Sequence, residues 1–372
     1  MATFERVTHH SRFVALFVLA ACGCGDTTHA STGTEPADGG GAPWPPLAGG
    51  GGTGGTGGAS GGGGAEPPQI CVDDELVNQP PLPDYTTTGA VLGSHCLGTD
   101  HQDVTGVERI VFLGDSLTVG TPPTLAKNTY RAKLADTLAT LWGLPAPGLA
   151  WRIPNPLTGQ SSKLEDGPFA SCAQWGARAR DILGEQVGQC FSGDDFDRRT
   201  LVVMTVGGND VQDATKMALD GAPPEVVTAR VDEMTADMDA AVRWLVEPGR
   251  FSAGVFVVFA NLYEFTDRTG LFDGCDVSGL VGFDAPLPAP DEVFALLDQA
   301  NLSLMTLAAE TETDLVLSME IFCGHGVQAE NPAAPCYRGP GTARWFDLTC
   351  IHPNRDGHEA LASSFAQVVA GG

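Results

Sequence analysis

The sequence is poor in basic residues: 20 lysines and arginines stand against 46 aspartates and glutamates, and the formal net charge is −26. A protein that binds DNA or RNA needs a basic surface for the phosphates, so this balance argues against a nucleic-acid partner. The sequence also lacks a Cys-x-x-Cys pair, which removes the usual spacing of a zinc site. No Gly-Lys-Ser or Gly-Lys-Thr follows its glycine-rich stretches, so a phosphate-binding loop is excluded too. We therefore expect neither a metal nor a cofactor.

The N-terminal region carries a short apolar stretch, residues 13–21, behind a segment with two arginines. This stretch is too short to span a bilayer, and its layout is typical of a secretory signal peptide. It ends in Leu-Ala-Ala-Cys at residues 19–22, which resembles a bacterial lipobox. The resemblance implies cleavage before Cys22, acylation of the Cys22 thiol and, because Gly23 follows, sorting to the outer membrane. The alternative is an ordinary signal peptide, residues 1–21, and a secreted protein.

Glycine, threonine, proline, alanine and serine dominate residues 22–70, and residues 49–64 are mostly glycine. Such a segment buries too little apolar surface to offset the entropy of ordering it. We expect a flexible tether whose root-mean-square reach is on the order of 40 Å. The remainder, residues 71–372, is long enough for one sizeable α/β domain or two small ones, and we expect one.

Cysteines are concentrated in this remainder, which holds eight of the ten. An even number of cysteines in an exported chain predicts disulfides, although the sequence alone does not fix their connectivity. Cys24 lies in the tether and is expected to be unpaired. For the others we expect sequence neighbours to pair, as Cys71–Cys96, Cys172–Cys190, Cys275–Cys323 and Cys336–Cys350.

Apolar runs rich in valine and isoleucine alternate with amphipathic stretches from about Val107 onward. This alternation is typical of βαβ units, whose parallel strands are covered on both faces. We predict an α/β fold, a three-layer α/β/α sandwich around a flavodoxin-like five-stranded parallel sheet, with residues 71–106 as a disulfide-tied extension packed on it. Strands are predicted at residues 109–113, 150–153, 201–206, 255–260 and 314–318, and helices at residues 124–141, 174–183, 225–246, 291–311 and 357–369.

The first predicted strand runs directly into Gly114-Asp115-Ser116-Leu117-Thr118. A serine at this place lies at the carboxyl edge of the sheet, where open α/β sheets carry their chemistry. It needs a base to become a nucleophile, and the alternative is a serine that only caps the next helix. The α/β-hydrolase fold requires Gly-x-Ser-x-Gly, and Thr118 occupies the second glycine position, so that fold is disfavoured.

Two further motifs follow in the chain: Gly-Gly-Asn-Asp at residues 207–210, behind an apolar run, and His-Pro-Asn at residues 352–354, before the last predicted helix. Together with the serine motif, and in this order, they resemble the SGNH or GDSL family of serine hydrolases. The resemblance covers about residues 109–369. It implies that Ser116 is the nucleophile and that His352 is the general base, for which the imidazole pKa is suited.

The resemblance also implies an oxyanion hole. Asn209, in the Gly-x-Asn-Asp pattern formed by Gly207, Asn209 and Asp210, would donate its side-chain amide to the developing charge. Without the other motifs, a glycine-rich turn would explain these residues equally well. The backbone N–H of Ser116 would be another donor.

The family places a further oxyanion donor, a glycine N–H, on the loop after the second strand. Gly159 matches this place, and glycine suits a close approach of the backbone to a ligand. A simple turn explains the match nearly as well. Of the remaining histidines, His358 corresponds to a family position that begins a helix and serves structure, and His325 is interpreted as a loop residue.

The sequence departs from the family pattern beside the histidine. The usual orienting aspartate lies three residues before it, and that position is Thr349 here. Either Asp347, two residues further back, reaches His352 through a loop lengthened around Cys350, or the backbone carbonyl of Thr349 holds the ring. We favour Asp347.

Taken together, the motifs imply hydrolysis of carboxylic acyl esters, of lipids or small molecules. We expect a monomer held at the membrane through its N-terminal lipid. The motif style is similar to secreted lipases, esterases and phospholipases. A carbohydrate O-deacetylase is the alternative enzyme. From a different class, the chain would be a surface binding module with a decayed triad, as the missing aspartate at position 349 hints.

Overall fold

The computed structural model describes residues 76–78, 80, 82–275 and 285–371. The predicted signal peptide and tether lie outside these residues, as do Cys22, Cys24 and Cys71. Within the described part, no helix is long and apolar enough to cross a membrane.

A six-stranded sheet forms the centre of the fold. Its strands are β1 (Arg109–Gly114), β4 (Glu165–Asp166), β5 (Phe169–Ser171), β6 (Thr200–Thr205), β7 (Val255–Ala260) and β8 (Asp314–Val316), while β2 (Pro154–Asn155) and β3 (Gln160–Ser161) form a separate hairpin. The order in the sheet is β4-β5-β1-β6-β7-β8, and all neighbours are parallel except β4, which is antiparallel to β5. The five parallel strands thus lie in the order 2-1-3-4-5, which confirms the predicted flavodoxin-like sheet.

Helices cover both faces of the sheet. They are α1 (Ser116–Val119), α2 (Tyr130–Trp142), α3 (Leu149–Arg152), α4 (Ala179–Asp181), α5 (Val187–Cys190), α6 (Gly208–Leu219), α7 (Pro224–Leu245), α8 (Pro290–Thr311), α9 (Ser318–Phe322) and α10 (Arg355–Ala370), with a π-helix at Ile182–Gln186 between α4 and α5. Alternate side chains of β1 enter different cores: Val111 and Leu113 pack with α7 and α8, and Ile110 and Phe112 pack with α2 and α10. Every β1 residue is therefore buried, as expected for a central parallel strand.

The strand predicted at residues 150–153 is wrong, because this stretch is helix α3. Its apolar pattern reflects Trp151, a buried ring that packs edge-on against Phe112 and Phe169. The second parallel strand is instead β5, with only three residues. A run of this length carries too little pattern to be distinguished from a turn. Helix α6, which follows the Gly-Gly-Asn-Asp motif, was not predicted either.

The extension before β1 lies along the outer edge of β8. Thr99 donates its backbone N–H to the Leu315 carbonyl at 2.9 Å, and Gly98 forms an isolated antiparallel bridge with Val316. The buried Asp314 carboxylate accepts hydrogen bonds from the Thr99 hydroxyl at 3.0 Å and the His101 N–H at 2.7 Å. These contacts attach the extension to the sheet.

Three disulfides join described cysteines, and one of them was predicted. Cys172–Cys190 is confirmed. The predicted pairs Cys275–Cys323 and Cys336–Cys350 are wrong, because the sheet brings the loops after β7, β8 and α9 together at one edge, where partners far apart in sequence meet. The observed pairs there are Cys275–Cys350 and Cys323–Cys336. Cys96 is also disulfide-bonded, and its predicted partner Cys71 lies outside the described residues.

Candidate active site

The chain turns sharply between β1 and α1, and Ser116 is the first residue of that helix. Gly114 permits the turn: its φ is +134°, and a Cβ atom there would lie 2.1 Å from the carbonyl oxygen of Thr205 on β6. The cap of α1 is Asp115, whose buried carboxylate accepts a hydrogen bond from the Leu117 N–H at 3.0 Å. Because Asp115 caps the helix, the Ser116 hydroxyl is not used for capping.

A buried glutamine holds this turn from the side. The Gln186 side chain accepts the Gly114 N–H at 2.7 Å and donates to the Gly114 carbonyl at 2.8 Å, and the backbone N–H of Gln174 donates to the same carbonyl at 3.0 Å. The N–H and the carbonyl of Gly114, two residues before the serine, therefore both have hydrogen-bond partners. Sequence reasoning missed Gln186, because a glutamine in an amphipathic stretch carries no motif signal.

His352 lies opposite the serine. Its Nε2 atom is 2.9 Å from the Ser116 hydroxyl oxygen. The loop that carries it is held by two backbone bonds, Asp347 N–H to the His352 carbonyl at 2.9 Å and Asn354 N–H to the Trp345 carbonyl at 2.7 Å. The Asn354 side chain then caps α10 by accepting two backbone N–H groups. The structure therefore brings the first and third motifs together.

Burial lowers the pKa of His352 to about 4, well below its ordinary value. At neutral pH the imidazole is therefore uncharged, and Nε2 can accept the serine proton when Nδ1 carries the ring hydrogen. The chemical requirement for a general base next to a serine hydroxyl is met by this pair.

The contact to the other ring nitrogen comes from a group that neither alternative foresaw. His352 Nδ1 lies 3.0 Å from the side-chain hydroxyl oxygen of Thr349. That hydroxyl is in turn 2.5 Å from Oδ1 of Asp347, which also accepts the Thr349 backbone N–H at 2.7 Å. Asp347 therefore reaches the ring through the Thr349 hydroxyl, and the Thr349 side chain, not its carbonyl, contacts the ring.

Asn209 stands at the start of α6, behind the left-handed Gly207, whose φ is +104°. Its side-chain amide donates one hydrogen to the Ala177 carbonyl at 2.8 Å, which leaves the second amide hydrogen for another acceptor. The neighbouring Asp210 is buried, where it accepts the Ala179 N–H at 3.0 Å and pairs with Arg230. Asp210 thus anchors the turn that presents Asn209.

Gly159 has its backbone N–H committed elsewhere. It donates to the Asn155 carbonyl at 2.8 Å, inside the turn that joins β2 and β3. The structure therefore supports the simple turn for this residue rather than a donor to a ligand. A second glycine, Gly176, follows β5 with φ of +77°. Its N–H has no acceptor among the described residues, and a Cβ atom there would meet nothing within 4 Å.

Gly176 belongs to a short segment, residues 174–177, that lies between the serine motif and the Gly-Gly-Asn-Asp motif. Gln174 bonds to Gly114 at the nucleophile turn, and the carbonyl of Ala177 receives the amide of Asn209. The loop after the true second strand thus occupies the place that the sequence assigned to the loop around Gly159. The short length of β5 concealed it.

A cavity of about 150 Å³ adjoins the serine and the histidine. Ser116, Asn209 and His352 line it together. Most of its wall is apolar and comes from the segment after β7 and from α8: Phe272, Leu287, Val293, Phe294 and Leu297. The site therefore combines a polar reactive edge with an apolar pocket that suits an apolar group.

The competing histidines serve other purposes. His358 on α10 is buried and accepts the backbone N–H of Tyr130 at 3.1 Å, and burial lowers its pKa to about 3. His325 stacks on Trp345 with ring centroids 3.4 Å apart, and burial lowers its pKa to about 4. Among the described residues, no cluster of three or more histidines, cysteines, aspartates or glutamates can hold a metal ion.

The fold is thus an α/β/α sandwich that places a serine, an asparagine and a histidine around one cavity. Residues 110–365 match the model of the GDSL-like lipase/acylhydrolase family, and the chain belongs to this family. The family comprises enzymes that hydrolyse esters, as the sequence motifs implied.

Lipases and an esterase are among the solved structures that match this chain. An extracellular lipase from Streptomyces rimosus is 19% identical, with a TM-score of 0.40, and the match covers 70% of this chain and 100% of the lipase. A phospholipase A1 from Streptomyces albidoflavus is 17% identical at a TM-score of 0.40, covering 68% and 96% of the two chains. A carbohydrate acetylesterase from Sinorhizobium meliloti is 14% identical at 0.36, covering 70% and 96%. A comparison with curated proteins returns no match.

Proposed function

We propose that the protein is a serine esterase that hydrolyses carboxylic esters with an apolar acyl chain. The single observation that carries this proposal is the 2.9 Å contact between the Ser116 hydroxyl and His352 Nε2 beside an apolar cavity. A serine hydroxyl is a weak nucleophile, and a neutral imidazole within hydrogen-bond reach is what activates it.

In the proposed reaction, Ser116 Oγ attacks the ester carbonyl while His352 Nε2 takes the hydroxyl proton. The tetrahedral intermediate then collapses, and His352 gives that proton to the leaving alkoxide, which departs as the alcohol. Water repeats the sequence on the acyl-enzyme: its proton goes to His352 while its oxygen bonds to the acyl carbon, and then the bond between the acyl carbon and Ser116 Oγ breaks as Oγ takes the proton from His352.

The negative charge on the carbonyl oxygen needs fixed donors. We assign this role to the backbone N–H of Ser116, the second amide hydrogen of Asn209 and the backbone N–H of Gly176. The assignment of Gly176 replaces that of Gly159, because the Gly159 N–H already donates to Asn155. Donors of this kind act strongly because they are positioned before the charge develops.

The apolar wall favours an acyl chain longer than acetate. Each buried methylene contributes about 0.8 kcal/mol, which is about fourfold in kcat/KM per methylene while the cavity still has room. We expect kcat/KM on p-nitrophenyl esters to rise from acetate through butyrate to octanoate, and to level off or fall beyond the length that the cavity holds.

The test measures hydrolysis of p-nitrophenyl acetate, butyrate, octanoate and palmitate by the wild type, Ser116→Ala and Ser303→Ala. Ser303 is an exposed serine on α8, so its variant is the matched control and should behave as wild type. Octanoate preferred over acetate, with no turnover by Ser116→Ala, supports the proposal. Preference for acetate would indicate the deacetylase instead, and no turnover of any ester by the wild type would indicate the binding module.

We also propose that the enzyme is anchored to the outer membrane through acylated Cys22, which rests on the lipobox-like residues 19–22 and the glycine-rich segment behind them. Cys22→Ala should abolish labelling by a fatty-acid analogue and release the protein from the membrane fraction or leave an uncleaved precursor. Cys24→Ala is the matched control and should stay anchored. Normal membrane retention of Cys22→Ala would contradict the proposal.

A further inference from the structure

Three side chains form a continuous hydrogen-bonded chain behind the imidazole: Asp347, Thr349 and His352. A threonine hydroxyl has one proton to donate and lone pairs to accept with. The Thr349 hydroxyl oxygen lies 2.5 Å from Asp347 Oδ1, and this short distance is typical of a hydroxyl that donates to a charged carboxylate. The Thr349 oxygen then accepts at 3.0 Å from His352, whose Nδ1 carries the hydrogen.

This direction of donation has a consequence at the other side of the ring. A neutral imidazole with its hydrogen on Nδ1 has a free lone pair on Nε2. Nε2 is the atom that lies 2.9 Å from the Ser116 hydroxyl. The chain therefore selects the tautomer that can accept the serine proton, which is the task that a directly bound aspartate performs in a serine hydrolase triad.

Asp347 shows that the arrangement is not explained by stability alone. The residue is only 8% exposed, and its second oxygen, Oδ2, is buried without a hydrogen-bond partner in the described structure. Burial raises the pKa of this carboxyl, while the two bonds from Thr349 and the charge of Arg344 oppose the rise and favour the ionised form. A buried carboxylate with an unsatisfied oxygen is destabilising, so its position beside His352 favours a functional role.

The loop also fixes the positions of Asp347, Thr349 and His352 relative to one another. Asp347 donates its backbone N–H to the carbonyl of His352, and the side chain of Arg344 donates to the Asp347 carbonyl at 3.4 Å and to Cys350 Sγ at 3.1 Å. Cys350 is bonded to Cys275. Asp347 and His352 are therefore held at a fixed separation, and the Thr349 hydroxyl fills the space between them.

We infer that Thr349 is a positioning residue whose hydroxyl transmits the charge of Asp347 to His352, so that a threonine takes the place of the aspartate usual for this family. The inference rests on the proposed function. During the attack of Ser116, its proton moves to Nε2, while the hydrogens on Nδ1 and on the Thr349 oxygen stay where they are. The positive imidazolium is then stabilised through the hydroxyl by the Asp347 carboxylate, with no net proton transfer to Asp347.

The first test replaces the hydroxyl. Thr349→Val keeps the shape and the backbone N–H but removes the bridge, and we expect kcat on p-nitrophenyl octanoate to fall about tenfold to a hundredfold, the size expected for one charge-assisted hydrogen bond, with KM within about twofold. Thr349→Ser restores the hydroxyl and should recover kcat to within about threefold of wild type. Thr342→Val is the matched control, because the Thr342 hydroxyl donates to the Gly339 carbonyl just before the histidine loop without contacting His352, and it should keep wild-type kcat.

The second test separates charge from hydrogen bonding. Asp347→Asn leaves an oxygen that can still accept from Thr349 but removes the charge, and we expect a fall in kcat of similar size. If the two residues act as one unit, the double variant Thr349→Val/Asp347→Asn should be no worse than about threefold below the worse single variant. Multiplicative losses would show independent effects and overturn the relay.

Other outcomes are equally decisive. A Thr349→Val enzyme that melts like wild type and keeps wild-type kcat overturns the relay and leaves the proposed function standing. A Thr349→Ser enzyme as slow as Thr349→Val, with both of them folded, also overturns it, because the hydroxyl would then not be the active group. If Thr349→Val fails to fold, Asp347→Asn and Thr349→Ser decide the matter by the criteria above. A wild-type protein without esterase activity overturns the proposed function itself, and the relay with it.

Discussion

The two sides of the candidate site are built in different ways. The serine side consists of a buried strand, a glycine turn and a helix cap, all within residues 109–119, and the Gln186 side chain is bonded to the turn from outside this segment. The histidine side is a loop, residues 344–354, that depends on distant partners: a disulfide to Cys275, the Tyr263 hydroxyl on the Ile351 carbonyl at 2.9 Å, and an arginine bonded to the Gly274 carbonyl at 2.7 Å. The strand end is held by the sheet, whereas this loop is held by two backbone bonds of its own and by its cross-links to distant segments.

The difference teaches where substitutions act. Changes on the serine side alter either the chemistry or the whole fold. Changes to the cross-links of the histidine loop alter the position of one ring, so they reduce kcat while the sheet stays intact. Leu348 in this loop is 77% exposed, and Cys350 has a φ of +64°, a conformation that is unfavourable for a residue other than glycine. A segment held only by its own packing would not be expected to show either feature.

The largest expected effect removes the reacting groups themselves. Ser116→Ala and His352→Ala should each lower kcat by about four orders of magnitude or more, because nucleophile and base act as a unit. Neither variant should change the melting temperature by more than a few degrees, since Ser116 does not cap α1. Steady-state kinetics on p-nitrophenyl octanoate with a parallel thermal melt measure both quantities. A His352→Ala enzyme with near wild-type turnover would falsify the mechanism.

The next effect concerns Asn209, which lies in the first turn of a helix that follows a buried strand, as Ser116 does. Asn209→Ala should lower kcat by about a hundredfold to a thousandfold, with a smaller change in KM, because its amide is assigned to charge that develops only in the transition state. Gln212→Ala, one turn further along α6 in the same cavity wall, is a control that should lose far less. An Asn209→Ala variant that changes KM alone would show that the amide binds substrate instead.

The pH profile tests the histidine side. His352 is active as a base only when neutral, and burial places its pKa at about 4. The kcat/KM value of the wild type should therefore be flat at neutral pH and fall about tenfold per pH unit below about 4. Measurements on a neutral ester in buffers of constant ionic strength give the profile. An acid limb centred near pH 6.5, the value for an unperturbed histidine, would show that His352 is open to water in the working enzyme.

The smallest effect on activity is expected from the removal of a disulfide, and two disulfides are compared. The pairs Cys275–Cys350 and Cys172–Cys190 close loops of 75 and 18 residues, which corresponds to about 4 and about 3 kcal/mol of stability on an entropic estimate. Replacing either pair by alanines should lower the melting temperature. Only the loss of Cys275–Cys350 should also lower kcat, by less than about tenfold, because only that bond holds the histidine loop. Equal losses of kcat in the two double variants would remove the distinction between the two sides.

Local sequence rules predicted the serine side well. Strands β1, β6 and β7 came out within one residue of their bounds, since long apolar runs admit few alternatives. The motifs identified Ser116, Asn209 and His352, which the fold does bring to one cavity. The serine turn was predictable because Gly114 and the capping Asp115 are neighbours in sequence, whereas the distant Gln186 that is bonded to it was not predicted.

Non-local geometry accounts for what the sequence did not predict. Strand β5 is only three residues long, so the second strand was predicted at residues 150–153 instead, with Gly159 on the loop after it. Two disulfide pairs were assigned to sequence neighbours, although the sheet topology brings Cys275 to Cys350. The role of the Thr349 hydroxyl depends on a side-chain direction within a cross-linked loop, which no spacing rule contains.

The two edges of the central sheet decide how easily another chain can add a strand to it. On one side the outermost strand is the two-residue β4, made of Glu165 and Asp166, and on the other side Gly98 and Thr99 run beside β8. Short, acidic or covered edges offer little open backbone for another chain to extend the sheet. This geometry opposes the growth of intermolecular sheets.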